Sequence, residues 1–405
     1  MSWLRGLVAL SVGTAFLWFT LPISLGFYLA GGRPDLALRF APHHADALAA
    51  DADLAIFKAK DARQIELVAG KAREALLRSP LQVSALRNLA FVDAMHNRNS
   101  QAAAAFALAG RLSLRDFPTH FWLLRSGYEL GDYNATLREA DILLNEDSDT
   151  WQVLIPMLVQ LQEGSPLRGM IVRMIARAHP VWASSYLQEL GRSGRPEGAF
   201  ATFRDLQSAG HPASVADLTP YFRRASTDVD PTTLYHQWRA LADGKGGDQR
   251  LRNGDFDGAN PPAPFGWDLS NAGGNYAELS ADPGGRPGNA LHFLFSDSYV
   301  SLASQGMILG SGSYRLTGEV YLDSAQEASS VRVRVLCSLN DGGAPIVVAT
   351  LPGTSANWNP FAISFTVPRG CAGQRLIFDG MGDNTLQPAS VWIDRLAIVP
   401  AKEEH

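Results

Sequence analysis

At Asp243-Gly-Lys-Gly-Gly-Asp248 the chain changes its grammar, and no single fold accommodates both sides of the change. Before it, apolar residues recur at helical spacing in stretches rich in Ala, Leu and Arg. After it, short runs alternate apolar with polar residues and are separated by Gly, Asn, Asp and Pro. A length of 405 residues also exceeds one ordinary domain. The expected class is α + β multidomain, with a helical part followed by an antiparallel β part.

The helical part carries a repeat. Pro42, Pro80 and Pro118 are spaced by 38 residues, and Leu38, Leu76 and Leu114 before them keep the same offset, as do Leu48, Leu86 and Leu124 after them. A fixed period in this range marks a solenoid of helix pairs. Each proline ends a helix, because the residue before it is pushed out of the α region. Gly131-Asp132-Tyr133 reads as a turn, with a returning helix from Ala135 to Leu144. Beyond residue 150 helices continue off period, as in Leu167–Ala178, Val181–Leu190 and Glu197–Ala209. The Leu38–Pro42 and Leu76–Pro80 elements, with the turn at 131–133, resemble the tetratricopeptide-repeat family. The period exceeds that family's usual length of about 34 residues, which implies longer helices or a longer turn. The resemblance implies a concave groove that recruits a protein partner; the plainer alternative is a spacer.

Gly6 to Ala30 holds 25 residues without a charge. As a helix it would reach about 37 Å, enough to cross a bilayer core. It exceeds the apolar core of a signal peptide, about 7–15 residues, so an uncleaved transmembrane anchor is expected over 1–31. Cys337 shares a face with Val331, Val333 and Val335, and Cys371 lies just past the run ending at Val367. A disulfide between them is expected, which requires an oxidising compartment. Together these place the chain in a bacterial inner membrane as a single-pass protein with its bulk periplasmic.

The β part alternates most clearly at Ser330–Leu339, with Arg332 and Arg334 opposite the valines, and at Phe361–Val367. Tyr314–Leu322, Ala290–Phe295, Leu376–Phe378 and Val391–Val399 add strands, and Gly310–Ser313 reads as a hairpin turn. About eight to ten short strands describe a β-sandwich. The opening Leu251–Gly258, then Phe265-Gly-Trp267, the run Trp358–Pro368 and the closing Ser390–Val399 resemble the galactose-binding-like jelly rolls of carbohydrate-binding modules. That resemblance implies a structural calcium beside Asp257 and Asp394, although Asp at 257 reaches less far than the family's Glu. Calcium takes six to eight oxygens, so backbone carbonyls or water would have to complete the site. Sugar binding needs aromatic faces beside amides or acids; Trp267, Tyr276 and Tyr299 with Asn275 and Asn340-Asp341 are the candidates. Trp392 and Phe365, within alternating strands, are expected in the core.

A net charge of −5 argues against nucleic acid as a partner. Two cysteines exclude a four-cysteine zinc site. No nucleophile elbow, zincin, P-loop or dinucleotide motif occurs, and an enzyme is not expected. The expected organisation is an anchor at 1–31, helical repeats at 32–245, a linker at 246–250, a jelly roll at 251–400 and a tail at 401–405. The expected role is a membrane-anchored periplasmic scaffold whose repeats recruit a protein and whose jelly roll binds glycan, in cell-surface polysaccharide biosynthesis or export. The alternative is a protein-only assembly scaffold of an envelope complex.

Overall fold

A computed structural model describes residues 24–242, 249–322, 330–340, 342–351, 357–382 and 388–401. The chain divides into two compact units, Met1–Leu154 and Ile155–His405.

The expected membrane placement does not stand. Among the described residues no helix is long and apolar enough to cross a membrane. The end of the apolar run forms a short helix, α1 (24–30), which stops in a turn at Gly31-Gly32. Ala30 is buried with Ala37 and Ala47, and a Cβ at Gly26 would lie 2.8 Å from that of Ala41. This end of the run packs on protein. The rest of it, up to residue 23, lies outside the described residues. The single-pass inner-membrane anchor and the periplasmic position derived from it are overturned.

The first unit contains α2 (Pro34–Phe40), α3 (Ala45–Ile56), α4 (Ala62–Arg78), α5 (Val83–Met95), α6 (Asn99–Leu112), α7 (Phe117–Glu129) and α8 (Tyr133–Glu146). Pro42 and Pro80 sit in the turns before α3 and α5, and Pro118 in the first turn of α7. The helices pack as pairs, α3 with α4, α5 with α6 and α7 with α8, and α4–α5 and α6–α7 contacts join successive pairs. Their interfaces are lined by alanine: Ala49 and Ala52, Ala69, Ala72 and Ala75, Ala85 and Ala90 are all inaccessible to solvent. Asp61 and Asp132 cap α4 and α8, accepting from the N–H groups of Gln64 (2.8 Å) and Ala135 (3.0 Å). Gly131, at φ +75°, supplies the left-handed residue that reverses the chain between α7 and α8.

Two buried polar groups fix the register of these pairs. The Arg87 guanidinium on α5 donates to Asp53 on α3 (2.5 Å) and to Asp116 at the start of α7. His120 is buried with both ring nitrogens against acceptors, Glu139 Oε2 at 2.7 Å and the Ser113 carbonyl at 2.9 Å. With Glu139 ionised, both acceptors call for an N–H donor, an arrangement that favours the imidazolium.

The second unit takes the end of α9 (Trp151–Leu161), then α10 (Leu167–Ala178), α11 (Ala183–Ser193), α12 (Pro196–Ser208), α13 (Val215–Asp228) and α14 (Pro231–Leu241). Trp182, Tyr186, Phe203, Tyr221, Phe222 and Trp238 are fully buried among them. These helices belong with the sandwich because they share polar contacts with it. Trp238 Nε1 donates to the Pro262 carbonyl (2.8 Å), and the Asn340 amide donates to the Ser226 carbonyl (3.1 Å).

The sandwich has strands β1 (Asp268–Leu269), β2 (Asn271–Ala272), β3 (Asn275–Ala281), β4 (Asn289–Phe295), β5 (Ser298–Met307), β6 (Gly312–Leu322), β7 (Ser330–Leu336), β8 (Pro345–Thr350), β9 (Asn359–Val367), β10 (Gln374–Met381) and β11 (Ala389–Pro400). Antiparallel pairing gives a five-stranded sheet, β1-β5-β10-β7-β8, and a six-stranded one, β2-β3-β4-β11-β6-β9. Val331, Val333 and Val335 face Phe293, Phe365, Val391 and Ile393 in the core between the sheets. Gly310–Ser313 is not a hairpin turn: β5 and β6 belong to different sheets, so this segment carries the chain across the sandwich. Cys337 and Cys371 form the expected disulfide, with Cα atoms 5.5 Å apart, tying the chain after β7 to the β9–β10 connection. Such a bond contributes about 2–4 kcal/mol. The opening segment is sealed to β11 by the Leu396 N–H donating to the Gly254 carbonyl (2.8 Å). A Cβ at residue 254 would meet the Leu396 carbonyl oxygen at 2.1 Å, so only glycine fits there.

The hydrogen bond that His120 donates to Glu139 raises its pKa above the ordinary imidazole value near 6.5; burial opposes the shift, and the Ser113 carbonyl adds to it. A raised folded value means the stabilisation is complete below pH ~6.5 and is lost as pH rises through the folded value. Thermal melts from pH 6 to 9 are expected to show declining stability that a His120→Gln variant lacks. An unchanged slope in that variant would contradict this assignment.

Candidate functional site

The outward residues of the five-stranded sheet alternate with its core residues and gather polar side chains at its centre. Asp379 on β10 is paired across the sheet with Arg332 on β7 and with Ser301 on β5. Its carboxylate is buried beneath two guanidinium groups. Arg334 clasps both oxygens, Nε to Oδ2 at 2.6 Å and Nη2 to Oδ1 at 2.9 Å. Arg332 places Nε (3.1 Å) and Nη2 (3.0 Å) on Oδ2 alone. Four charge-assisted bonds hold both planar groups in position at the sheet surface.

Beside them, Tyr299 is 66% exposed. The Arg332 guanidinium carbon lies 5.1 Å from its ring centroid, a cation–π arrangement. Tyr299 adopts a left-handed backbone, φ +64°, uncommon for a bulky residue and a mark of local strain. The register between β10 and β5 shifts twice here, between Phe378 and Asp379 and between Gly380 and Met381. Such bulges re-aim side chains, and these flank Asp379 and the strand end that carries Tyr299. On the same face Arg375 Nη2 donates to Ser304 Oγ (2.8 Å). One exposed ring and a fixed set of charged donors therefore share one solvent-facing surface.

The outer face of the six-stranded sheet is aromatic but self-contained. His292 stacks on Trp392 with centroids 4.2 Å apart and planes 14° from parallel. Tyr276 and Tyr321 meet this pair edge-on, and Tyr321 in turn contacts Trp358. The indole N–H groups are bonded within the face, Trp392 to Ser280 and Trp358 to Asp282, both at 3.3 Å. These rings spend their faces and edges on one another. Trp392, expected in the core, is half-buried on this outer face, because β11 turns Val391 and Ile393 inward. Phe365 does lie in the core.

At one edge of that face Arg286 stacks over Trp358 at 4.2 Å and draws three carboxylates together. Its guanidinium lies 2.9 Å from Asp282, 2.6 Å from Glu319 and 3.9 Å from Asp394. Burial works to raise the Asp282 pKa, but hydrogen bonds from Arg286, Gly284 N–H and Trp358 outweigh it and hold the carboxyl below its usual value. Burial raises Asp394, against the Arg395 N–H and the charge of Arg286. Asp257, the other expected calcium ligand, accepts from the Asn289 N–H at 2.8 Å. Among the described residues no three His, Cys, Asp or Glu side chains form a metal-binding group. The donor set does not fit calcium: Asp394 already faces a guanidinium cation, beside which a divalent ion would be repelled.

The other expected sugar contacts are dispersed. Trp267 is 2% exposed, in the core, with its indole N–H on the Asn253 carbonyl (3.1 Å). Asn275 is buried and donates to Asp297 at 2.7 Å. Asn340 joins the sandwich to α13, and Asp341 lies outside the described residues. Tyr276 lies on the six-stranded sheet and Tyr299 on the five-stranded one, so no single site gathers them. Arg332, Arg334 and Asp379 were not among the expected site residues. The alternation that turns both arginines outward was the available signal.

No protein-family model matches the sequence, and no curated protein matches it. Solved structures with similarity include a CBM4 structure at 20% identity, covering 37% of this chain and 99% of that one with a TM-score of 0.30. A CBM61 structure in complex with β-1,4-galactotriose is 17% identical over 38% of this chain and 100% of that one, TM-score 0.29. A CBM22 xylan-binding domain from Paenibacillus barcinonensis is 14% identical over 36% and 92%, TM-score 0.26. The likeness is to the C-terminal sandwich, and at TM-scores of this size it says nothing of what the chain does.

Because Arg286 supplies the cation at its cluster, millimolar calcium is expected to leave the melting temperature unchanged. Arg286→Gln is expected to cost about 2–4 kcal/mol at neutral pH, since it removes the guanidinium partner of Asp282 and leaves Arg395, bonded to Glu319, as the remaining cation beside the three carboxylates. That loss is expected to shrink at low pH as those carboxylates protonate. A clear rise in melting temperature with calcium would contradict the assignment.

Proposed function

We propose that the sandwich is a glycan-binding module and that its binding surface is the outer face of the five-stranded sheet. The observation that carries this is the juxtaposition of Tyr299, 66% exposed, with the fixed Arg332–Asp379–Arg334 cluster. A pyranose presents an apolar face and a rim of hydroxyls. An exposed aromatic ring accommodates the first, and guanidinium groups held in place engage the second without losing side-chain freedom on binding. The opposite sheet lacks this capacity because its rings stack on each other.

For the first unit we propose protein docking through the helix pairs. The observation behind this reading is that Phe57, Leu77, Leu81 and Leu130 are each more than 70% exposed. The protein partner belongs to this unit and the glycan to the sandwich.

Tyr299→Ala is expected to weaken binding of a retained polysaccharide about tenfold in affinity electrophoresis, the worth of a good ring contact. The melting temperature should hardly move, since the ring is exposed. Trp392→Ala is expected to lower stability while leaving retention intact. The reverse pattern would transfer the site to the other sheet, and no retardation of any polysaccharide by the parent protein would favour the protein-only scaffold.

A further inference from the structure

We infer that His179 and His211 form a two-imidazole site for a divalent transition-metal ion of the copper and nickel class, on the helices that precede the sandwich. Each residue opens a His-Pro step, at 179–180 and 211–212, just past the end of a helix. His179 caps α10 in a left-handed conformation, φ +48°, with its N–H on the Ile175 carbonyl (3.1 Å). The residue before a proline ordinarily takes an extended backbone, so His179 is held against local preference. His211 follows α12 after the left-handed Gly210, φ +81°, with its N–H on the Leu206 carbonyl (2.9 Å). These two turns bring the rings to 4.4 Å between centroids, with their planes 56° apart.

Among the described residues neither ring takes part in a hydrogen bond or an ion pair. The buried histidines differ: His120 and His292 have both ring nitrogens bonded. Nor is the pair stacked, as His292 is on Trp392. An imidazole nitrogen binds such an ion at about 2.0–2.1 Å, which puts each ring centroid about 3.2 Å from it. Rings on adjacent corners of a square or octahedral site, about 90° apart, then have centroids about 4.5 Å apart. The observed 4.4 Å meets that spacing. His179 is exposed and His211 half-buried, and with Ser184, Leu187, Leu206 and Asp217 they line a cavity of about 410 Å³, so an ion and its waters have access. Asp217 is already engaged, accepting from the hydroxyls of Ser184 (2.5 Å) and Ser214 (2.7 Å), so the protein ligands are the two imidazoles and water completes the shell. Both rings follow helix C-termini, whose dipoles favour a cation. Imidazole nitrogens select copper and nickel over magnesium, which wants oxygen. A bound ion would link the α10–α11 turn to the α12–α13 turn.

The test is calorimetric titration of the full chain with Cu²⁺, Ni²⁺ and Mg²⁺, with thermal melts alongside. The expected result is saturable binding of Cu²⁺ or Ni²⁺ with a rise in melting temperature, and neither effect from Mg²⁺. His179→Asn, whose side chain tolerates the left-handed backbone, and His211→Gln are each expected to weaken binding about tenfold or more and to remove the rise. The double variant should bind no more weakly than either single one, because both rings hold one ion. Unchanged melting without metal verifies the fold of each variant, and His405→Ala is expected to leave binding intact. In the parent protein, substoichiometric Cu²⁺ should broaden the ring-proton NMR signals of His179 and His211 before those of any other histidine. Absence of saturable binding of both ions, binding that survives either substitution, or broadening that begins at His43 or His405 would overturn the inference. Equal binding of Mg²⁺ would overturn it as unselective attraction of cations.

Discussion

The Asp379 carboxylate sits on the outward side of its strand and is nonetheless buried, and the surface of the five-stranded sheet is organised by that fact. A carboxylate in this position requires compensation, and Arg332 and Arg334 supply it with four hydrogen bonds. In return their long side chains, which would otherwise sample many rotamers, are held in one. The two register shifts on β10 set the carboxylate between the arginines and position Tyr299 at the strand end. Binding capacity here therefore comes from a local irregularity in the sheet and a buried charge, both of which reduce stability taken alone.

The six-stranded sheet solves a different problem with similar residues. Its outer aromatics contact one another from Tyr276 to Trp358, and Arg286 closes the row by stacking on Trp358 and gathering three carboxylates. Both faces combine aromatic rings, arginines and acids, so composition does not distinguish them. Ring exposure does. Tyr299 keeps most of its surface in water, whereas His292 and Trp392 cover each other.

Much of the architecture was legible in the sequence because it depends on periodicity. The valine–arginine alternation at 331–335 correctly placed the valines inside, and the proline spacing marked where helix pairs begin. The disulfide followed from one half-buried cysteine in strand register and a second just past a strand. Three features escaped because they depend on contacts between distant segments. Trp267 precedes β1 and is buried in the core, whereas Trp392 lies on β11 between the inward Val391 and Ile393 and is turned outward. Asn340, in a Gly-rich loop suited to ligand contact, is instead used by α13. The apolar run predicted a membrane span, yet its last residues pack on Ala37, Ala41 and Ala47; hydropathy registers small apolar residues without distinguishing lipid from a helix interface. The calcium expectation, carried from family likeness, met a guanidinium beside Asp394.

The central claim is that ligand binds on the five-stranded sheet through Arg332, Arg334 and Tyr299. The most direct test is side-chain NMR of the full chain, following arginine Nε–H and aromatic resonances as a polysaccharide retained in affinity electrophoresis is added. The account predicts that the signals of Arg332, Arg334 and Tyr299 shift together and saturably, while those of Trp392, Tyr321 and Arg286 stay in place. Shifts confined to Trp392, Tyr321 and Arg286 would contradict it.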